Sequence, residues 1–468
     1  MQSFSIKRSQ VTGIYRLEPS YYYYNVVVKE RSMARGINYV KLHTMTEMIS
    51  DGEHSAIPRQ KKAGVRYLYG RNIKDGIINF DPNTDSSYIS TENYHKFKRI
   101  HLNEDDVLMT IVGTIGKVAV YKKSYVGTAG IPRHIAKIRL KEDSIFSNHY
   151  LVAFLLSKLG KRQITNISTG NNQPLLSIAN IETLDIPIIS QKEHDKITKD
   201  SKRCIECEEE ALALIKEAQS VFYSESGIHF SEVKEDLRYT AYKSELVKNN
   251  LWISLFNYPL YVNTVKEMAA HWPLHSLGSL VEVFVGDEVG SDSYNEYVEK
   301  RSSDIPFVRT SDIINYELDQ FPDFYVSNST YVALAQGVQA GDILFSKDGK
   351  IGMVGMVTAS DKMIVSSGFA ILRLKPEAIQ LGVTPEYLFT VLTLPEIGIY
   401  ASKRRTVVAS TIPHLREDRL KEMEIPIIGK STIGLISEKV KAAFELKDEK
   451  KRLQKSIRES IDKLFEEE

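Results

Sequence analysis

The chain contains the same pattern twice, and this repeat limits its possible folds more than any other feature. The segment DVLMTIVGTIGKVAV at 106–120 matches DILFSKDGKIGMVGM at 342–356, which lies 236 residues further along the chain. Three further pairs of segments keep the same order at offsets of 240, 237 and 239 residues, namely 65–78 with 305–318, 148–156 with 385–393, and 183–189 with 422–428. Chance similarity would not preserve both order and spacing over such a distance. The sequence therefore predicts a duplicated architecture.

Each repeat mixes the patterns of strands and helices. The stretches KVAVY (117–121), HIAKIRL (134–140) and AILRL (370–374) are rich in β-branched and aliphatic residues and predict strands. The apolar stretches 150–164 and 387–400 predict one short helix each. The fold class that follows is α+β, with two tandem bodies of about 190–200 residues each.

A long charged segment of helical pattern follows each repeat, directly after Ile-Pro-Ile-Ile at 186–189 and 425–428. In 191–223 one position recurs every seven residues and a second stripe runs beside it: Ile197, Cys204, Ala211 and Ala218, then Leu214 and Val221. In 431–468 the apolar residues follow spacings of three, four and seven with one break: Val440, Leu446, Leu453, Ile457, Ile461 and Leu464. Both segments predict amphipathic helices with a coiled-coil seam. Each helix could pack on its own body or on the other helix, and the repeat favours the second arrangement.

The composition of the 468 residues is that of an ordinary globular protein. Hydrophobic residues make up 42% and charged residues 26%, which excludes a wholly disordered chain. There is no apolar run of the length that a membrane helix needs, about 18 residues, and the first residues lack the apolar core of a signal peptide. We therefore expect a cytoplasmic protein with no membrane partner.

The overall net charge of +1 hides an asymmetry between the repeats. Residues 1–190 hold 26 Lys and Arg against 16 Asp and Glu, whereas residues 224–430 hold 20 against 27. The first repeat is thus basic, which points to a polyanionic partner, and the second is acidic.

No familiar catalytic motif is present. Gly349-Lys350 is followed by Ile351 rather than by the hydroxyl residue of a phosphate-binding loop. Gly113-Thr114-Ile115-Gly116 predicts a tight turn between strands. Cys204 and Cys207 lack a second ligand pair for zinc, so we expect them to pack as small apolar residues on one face of a helix. We therefore assign no catalytic and no metal-binding residue.

Basic residues with aromatic neighbours are the candidates for binding nucleic acid. Lys and Arg hold phosphates, and Arg, Lys, Asn and Gln read base edges. One basic cluster lies around Arg59 to Arg71, and another at Lys158, Lys161 and Arg162 recurs at the corresponding place of the second repeat as Lys403 to Arg405. The candidates are Arg66, Arg71, Lys96, Lys98, Lys117, Arg133, Asn171, Asn172 and Gln173 in the first repeat, and Arg309, Thr310, Ser311, Lys347, Lys350, Arg404 and Arg405 in the second. We expect Arg404→Ala combined with Arg405→Ala to weaken DNA binding without unfolding the chain.

The ordered set of motifs resembles the DNA-specificity subunit of type I restriction–modification systems. Each repeat carries Asp-x-Leu/Ile-Leu or a close variant, then Gly-x-Ile-Gly, then Tyr-Leu, then Ile-Pro-Ile-Ile entering a long helix, and the second also has Trp272 five residues before Leu277-Gly278. The resemblance covers nearly the whole chain. It implies two tandem α+β target recognition domains, each followed by a long helix, with the helices packing as an antiparallel coiled coil of pseudo-twofold symmetry.

The resemblance also implies what the chain does and with which partners. Each body would recognise one half of a bipartite double-stranded DNA target. Two adenine N6-methyltransferase subunits and a restriction subunit would carry out the chemistry in phage defence. The chain itself would need no cofactor, because S-adenosylmethionine, ATP and magnesium would belong to those partners.

The domain boundaries that we expect are 1–190 for the first recognition domain, 191–225 for the first helix, 226–430 for the second domain and 431–468 for the second helix. The start of the second domain falls between 226 and 270. Two other functions stay open. One is a pseudo-symmetric scaffold for protein assembly, and the other is a specificity module of a related methyltransferase-based phage-defence system.

Overall fold

The two repeats share their main strands and helices. The computed structural model describes residues 5–7, 19–60, 63–79, 87–169, 174–230, 238–240, 242–249, 252–296, 300–409 and 412–465. The chain divides into a first unit, Met1–Cys207 with Lys450–Glu468, and a second unit, Glu208–Glu449. Each unit holds one α+β body together with a part of both long helices.

A four-stranded antiparallel sheet, which we call the main sheet, forms the centre of each body. Its strands Val107–Thr110 and Ile343–Ser346, which begin the repeated motif, are buried at every residue. A strand buried on both faces reads as a continuous apolar run, which is why the motif does not alternate. The order across the sheet is Thr46–Asp51, Ile135–Leu140, Val107–Thr110 and Val118–Val120 in the first unit, and Val281–Val285, Phe369–Leu374, Ile343–Ser346 and Val354–Met356 in the second. The three strands predicted from the sequence are confirmed, with ends that differ by one residue.

Each body also contains a smaller four-stranded sheet, which we call the second sheet. Its first two strands are parallel and the others antiparallel. The order is Ala129–Gly130, Val65–Tyr67, Tyr88–Ile89 and Arg59–Gln60 in the first unit, and Ile364–Val365, Ile305–Val308, Phe324–Val326 and Asn295–Glu296 in the second. Two-stranded pairs complete the strands: Asn38–Lys41 with Asp185–Ile188, Ile73–Lys74 with Ile77–Ile78, Leu274–Ser276 with Glu424–Pro426, Ile313–Ile314 with Glu317–Leu318, and Val407–Ala409 with Ile412–His414.

A buried aspartate fixes the start of the repeated motif in each body. Asp106 and Asp342 are both 1% exposed. Arg139 donates two hydrogen bonds of 2.8 Å to Asp106, and Arg373 donates two of 2.8 and 2.7 Å to Asp342. Such two-pronged pairs are short and directional. The aspartate of the motif therefore holds neighbouring strands of the main sheet together.

The tyrosine of the Tyr-Leu motif connects its helix to the Ile-Pro-Ile-Ile strand. The hydroxyl of Tyr150 donates to the carbonyl oxygen of Pro187 at 2.8 Å, and that of Tyr387 donates to Pro426 at 2.6 Å. Both tyrosines are almost fully buried, and a buried hydroxyl needs such a partner. Two motifs that are separate in the sequence thus form one contact in each body.

The helices predicted at 150–164 and 387–400 are each interrupted. In the first unit, Ser157 has an extended backbone, and its hydroxyl accepts a hydrogen bond from the backbone N–H of Gly160 and so starts a new helix. In the second unit, Pro395 ends the preceding helix in the same way that prolines generally do. The helices of the two bodies are Pro19–Tyr22, Tyr23–Val28, Lys29–Ala34, Leu42–Met45, Thr91–Lys96, Lys123–Val126, Asn148–Leu156, Lys158–Ile167 and Ile178–Glu182, then Lys243–Asn249, Pro259–His271, Leu277–Leu280, Asn328–Leu334, Pro376–Gln380, Pro385–Thr393, Pro395–Ile399, Tyr400–Arg405 and Glu417–Lys421. Single helical turns of the tighter type are Gly70–Asn72, Lys98–Ile100, Ser254–Asn257, Ser291–Ser293 and Thr310–Asp312.

The two long helices are Gln191–Glu225 and Lys430–Phe465. Within the second unit they run antiparallel, because Glu217 pairs with Lys439 at 2.6 Å whereas Glu208, earlier in the first helix, pairs with Lys447 at 3.3 Å. The helices therefore pack on each other, as the repeat suggested.

The seam of the first long helix follows the predicted period of seven. Its four predicted residues, Ile197, Cys204, Ala211 and Ala218, are at most 5% exposed. The second stripe is displaced by one residue from the prediction. Ile215 and Phe222 are buried, whereas Leu214 and Val221 are only partly buried.

A buried charged cluster accounts for the break in the apolar spacing of the second long helix. Lys447 is fully buried and lies 3.3 Å from Glu208 and 3.6 Å from Glu317. Asn315, in the turn before Glu317, donates a hydrogen bond of 2.7 Å to Glu208. A hairpin of the second body thus packs on the helix pair of its own unit.

The structure also bears on the cysteines, on membrane helices and on metal-binding groups. Cys204 and Cys207 are both buried, so their predicted packing role is confirmed. None of the described helices has the length and apolar character that crossing a membrane requires. The described residues also contain no group of three or more His, Cys, Asp or Glu side chains that could hold a metal ion.

Candidate nucleic-acid interface

A glycine turn follows the buried central strand of each main sheet. Gly113 and Gly116 have φ values of 77° and 74°, and Gly349 and Gly352 have values of 69° and 90°. These values lie in the region that favours glycine. The tight turn predicted from Gly-Thr-Ile-Gly is therefore confirmed.

The hydroxyl residue of the motif closes this turn. In the first unit the hydroxyl of Thr110 accepts a hydrogen bond of 3.0 Å from the backbone N–H of Lys117. In the second unit the hydroxyl of Ser346 accepts one of 2.8 Å from Met353. The turn is thus held by its own backbone and one hydroxyl.

In the first unit, backbone hydrogen bonds bring two further segments to this turn. The N–H of Ile111 donates to the carbonyl of His134 at 2.9 Å, next to Arg133. The N–H of Gly113 donates to Pro174 at 3.2 Å. The tight helical turn 70–72 is also close, since a Cβ placed on Gly70 would lie 3.5 Å from the Thr110 side chain.

The second unit repeats the two backbone hydrogen bonds at the equivalent residues, and its helical turn 310–312 is close to a different part of the same edge. The N–H of Lys347 donates to Gly368 at 2.9 Å, and the N–H of Gly349 donates to Pro413 at 3.0 Å. A Cβ on Gly368 would approach the Thr310 side chain to 2.9 Å. We call this meeting place the loop edge; it consists of 69–71, 111–117, 131–134 and 174–176 in the first unit, and of 309–311, 347–353, 366–368 and 413–415 in the second.

Three candidates of the first unit lie on its loop edge. Arg71 is exposed; it donates to the Ser87 hydroxyl at 3.2 Å and lies 5.0 Å from the ring centre of Tyr69. Arg133 is exposed, and Lys117 is half-buried. Asn171, Asn172 and Gln173 lie outside the described residues.

Five candidates of the second unit lie on its loop edge: Arg309, Thr310, Ser311, Lys347 and Lys350. Arg309 lies 4.4 Å from the ring centre of Phe324 and 3.7 Å from Asp312. The ammonium of Lys347 lies 2.7 Å from Asp348. The fold therefore brings together residues that are up to 41 positions apart in the sequence.

The other candidates lie elsewhere. Arg66 is a half-buried residue of the second sheet, paired in register with Ala129 and Tyr88. Lys96 and Lys98 are exposed on either side of Phe97, in the turn that leads to Ile100. These three stay predictions, because no contact described above connects them to the loop edge.

Arg404 and Arg405 lie inside the second body. Arg405 is 3% exposed and donates to the carboxylate of Glu424 at 2.7 Å. Arg404 donates to the carbonyl of Phe256 at 2.8 Å and lies 4.3 Å from the ring of that residue. Burial, together with the positive charge of Arg405, lowers the pKa of Arg404. These contacts show that both arginines pack within the second body. The sequence could not indicate this, because it does not show which side chains face inward.

Arg59 belongs with the candidates of the first unit, although the sequence did not single it out. Its guanidinium lies 4.7 Å from the ring centre of Tyr69, the ring that Arg71 also contacts. Burial lowers the pKa of His134, and the charges of Arg133 and Arg59 lower it further. Arg59 therefore adds a positive charge beside the loop edge, next to Arg71 and Arg133, and its signal in the sequence was the basic cluster around Arg59.

The same edge of the second unit carries hydroxyl and acidic groups where the first carries arginines. Ser311 and Ser367 stand where the first unit has Arg71 and Arg133. The hydroxyl of Ser367 donates to the carboxylate of Glu288 at 2.9 Å. At these two positions the second unit therefore lacks the positive charges of the first, although its loop edge still holds Arg309, Lys347 and Lys350.

Comparison with known proteins agrees with this fold. Residues 59–217 and 271–454, well over half of the chain, match the family described as "Type I restriction modification DNA specificity domain". The chain belongs to this family of type I restriction–modification DNA-specificity proteins. Its function is to specify the DNA target of a type I restriction–modification system, as a subunit that is itself not catalytic. The predicted function is confirmed at this level.

Solved structures give more distant similarities. A type I restriction–modification S subunit from M. genitalium has 13% sequence identity and a TM-score of 0.32, over 92% of this chain and 95% of that one. The HsdS subunit from Thermoanaerobacter tengcongensis has 12% identity and a TM-score of 0.28, over 97% of this chain and 99% of that one. No curated protein matches the chain.

Proposed function

We propose that each unit recognises one half of a bipartite double-stranded DNA target through its loop edge. The observation that supports this most directly is the recurrence of the edge: the same backbone hydrogen bonds gather three separate loops in both units. Two copies of the loop edge, one in each unit, match the two half-sites of a bipartite target. Loops on a rigid sheet are also where binding residues are commonly placed.

The two units offer different side chains to DNA. Arg59, Arg71 and Arg133 of the first unit suit phosphate oxygens, because cationic side chains supply most of the salt-dependent affinity for DNA. The remaining proposed contacts are Lys117 in the first unit and Arg309, Thr310, Ser311, Lys347 and Lys350 in the second. In the segment 170–173, Asn171, Asn172 and Gln173 stay candidates from the sequence.

The domain boundaries proposed for this function are those of the sequence pattern. Residues 1–190 and 226–430 would form the two recognition domains, and 191–225 and 431–468 would form the connecting helices. In this arrangement the helices supply the surface on which other subunits of the system dock.

The chemistry belongs to those other subunits. The proposed partners are two adenine N6-methyltransferase subunits and a restriction subunit. S-adenosylmethionine, ATP and magnesium would be bound by them. The family match supports membership of such a complex.

Methylation mapping tests this proposal. The chain would be co-expressed with the adenine methyltransferase encoded beside it, and the host DNA sequenced for N6-methyladenine. We expect a split motif that is methylated in both halves and is lost when this chain is deleted. Methylation that does not depend on the chain would overturn the proposal and favour a scaffold for protein assembly.

The salt dependence of binding tests the role of the first loop edge. With the purified complex and its mapped target, Arg71→Gln and Arg133→Gln should each reduce the slope of log affinity against log salt by about 1. Lys141→Gln is the matched control, since Lys141 is an exposed cation that follows the far end of the strand Ile135–Leu140. Equal slopes for all three variants would contradict the assignment.

A further inference from the structure

The two glycine turns have the same backbone but different side chains at the tip. Where the first unit has Ile111, Val112 and Thr114, the second has Lys347, Asp348 and Lys350. A negative charge at this position stands out, because a DNA-binding edge is surrounded by phosphates that repel it.

Asp348 is held in one orientation by two cationic or hydrogen-bonding neighbours. Its Oδ2 accepts from the ammonium of Lys347 at 2.7 Å, and its Oδ1 lies 2.8 Å from Nδ1 of His414. The carboxylate remains 26% exposed, while Lys347 is 15% exposed. A carboxylate has about four acceptor positions, so two remain for a further donor.

The fold itself does not require this brace. In the first unit two backbone hydrogen bonds attach the turn to the following segment, from Gly113 to Pro174 and from Leu176 to Ile111, at 3.2 and 2.9 Å. The second unit makes the same two bonds, from Gly349 to Pro413 and from Leu415 to Lys347, at 3.0 and 2.8 Å. The brace around Asp348 is therefore an addition to a clamp that is already complete.

DNA offers few groups that a fixed carboxylate can bind. Phosphates and most base atoms in the major groove are acceptors, and the donors there are the amino groups N4 of cytosine and N6 of adenine. Adenine presents N6 beside the acceptor N7, which suits the paired donor and acceptor of Asn or Gln, whereas Asp and Glu accept from cytosine N4. We propose that Asp348 determines specificity for a C·G base pair in the half-site of the second unit by accepting a hydrogen bond from cytosine N4. This role rests on the proposed function. Val112, at the same position of the first unit, cannot accept such a bond.

The test uses the complex of the full chain with its methyltransferase subunits. Methylation rates would be measured on the mapped target and on targets with single base-pair changes, for wild type, Asp348→Asn and the control Glu377→Gln. Glu377 is an exposed acid after the far end of the strand Phe369–Leu374. We expect Asp348→Asn to lose about tenfold to a hundredfold of the discrimination at one C·G pair of one half-site, with the other half-site and the control unchanged.

Each outcome decides the assignment. An unchanged pattern of discrimination in Asp348→Asn would overturn the role of Asp348 and leave the proposed function intact. A wild-type complex that directs no split motif would overturn both. If Asp348→Asn fails to co-purify with the partners, the wild-type data decide. A half-site without any C·G pair would overturn the role, and so would C·G pairs whose replacement by T·A leaves the methylation rate unchanged. A loss of about tenfold or more in the methylation rate on such a replacement would support the role.

Discussion

The first and second units share their backbone architecture but differ in charge at the loop edge. Arg71 and Arg133 of the first correspond to Ser311 and Ser367 of the second, and Val112 corresponds to Asp348. The contacts that build both units, such as the pair of Asp106 with Arg139, lie in the interior of the bodies. The difference teaches that the residues that build the fold are separate from those proposed to choose the target, which makes each set open to its own test.

The largest effect is expected from the shared aspartate–arginine pairs. Arg139→Met leaves Asp106 buried without its partner, and Arg373→Met does the same to Asp342. Removing one partner of a fully buried ion pair costs about 3–5 kcal/mol, and the exposure of the two arginine side chains, 20% and 30%, places these pairs at the lower end of that range. Hydrogen exchange should therefore show a loss of protection in the main sheet of the unit that carries the variant. A change below about 1 kcal/mol in either unit would show that the pairs do not stabilise the fold equally.

The first unit has the buried His149 where the second unit has Glu386. The stability of the first unit should therefore be the more sensitive to acid. Burial lowers the pKa of His149 to about 4, an effect that Asp105 opposes and that Lys122 and Lys202 increase. Between pH 6.5 and about 4 the unfolded chain therefore binds more protons than the folded chain, so stability falls as the pH falls. The loss should reach about 3 kcal/mol at the lower pH.

Denaturant unfolding of wild type and of His149→Met across this pH range measures the difference. The variant should lack this part of the pH dependence, because it has no group to protonate at that position. Parallel curves for the two proteins would contradict the assignment of the effect to His149.

A smaller effect is expected from the arginines that the sequence placed in the DNA site. Arg405→Ala removes a hydrogen bond to the charged Glu424, and bonds of this kind contribute about 1.5–3 kcal/mol. With Arg404→Ala added, the second unit should unfold at lower denaturant while the discrimination between targets stays the same. Altered discrimination without any loss of stability would return both residues to the DNA interface.

The smallest effect is expected from the tyrosine contacts that the units share. Tyr150→Phe and Tyr387→Phe each remove one buried hydrogen bond to a proline carbonyl, which is worth about 1 kcal/mol. Denaturant midpoints should therefore shift by a similar amount for the two variants. A shift in only one of them would show that the equivalent contacts are not equally strong.

The elements of the fold could be predicted because they depend on local pattern. The apolar runs gave the central strands, the glycines gave the turn, and the period of seven gave the seam at Ile197 to Ala218. The helix break at Ser157 was missed because a serine N-cap inside an apolar stretch has little weight in a periodicity argument. The buried Lys447 was missed because a lysine is expected on the surface unless its partners, Glu208 and Glu317, are already known to be near.

The site could be predicted only in part, for a different reason. Arg309, Thr310 and Ser311 are neighbours in sequence and align with 69–71, whereas Lys347 and Lys350 belong to a different repeated segment. What joins these segments is a set of backbone hydrogen bonds between distant loops, which no side-chain pattern encodes. The same argument applies to Arg405, whose exposure depends on Glu424 and on the packing of the second body around it.

The backbone clamp of the loop edge has a consequence for how such a chain changes over generations. Because main-chain atoms hold the turn, a substitution at 112 or 348 leaves the attachment of the turn in place and changes the side chain that the edge presents to its proposed target. Each edge is also a separate copy, so one half of a target can drift while the other half is retained. Under the proposed function, a duplicated chain of this kind can therefore change its DNA target through single substitutions while the protein stays folded.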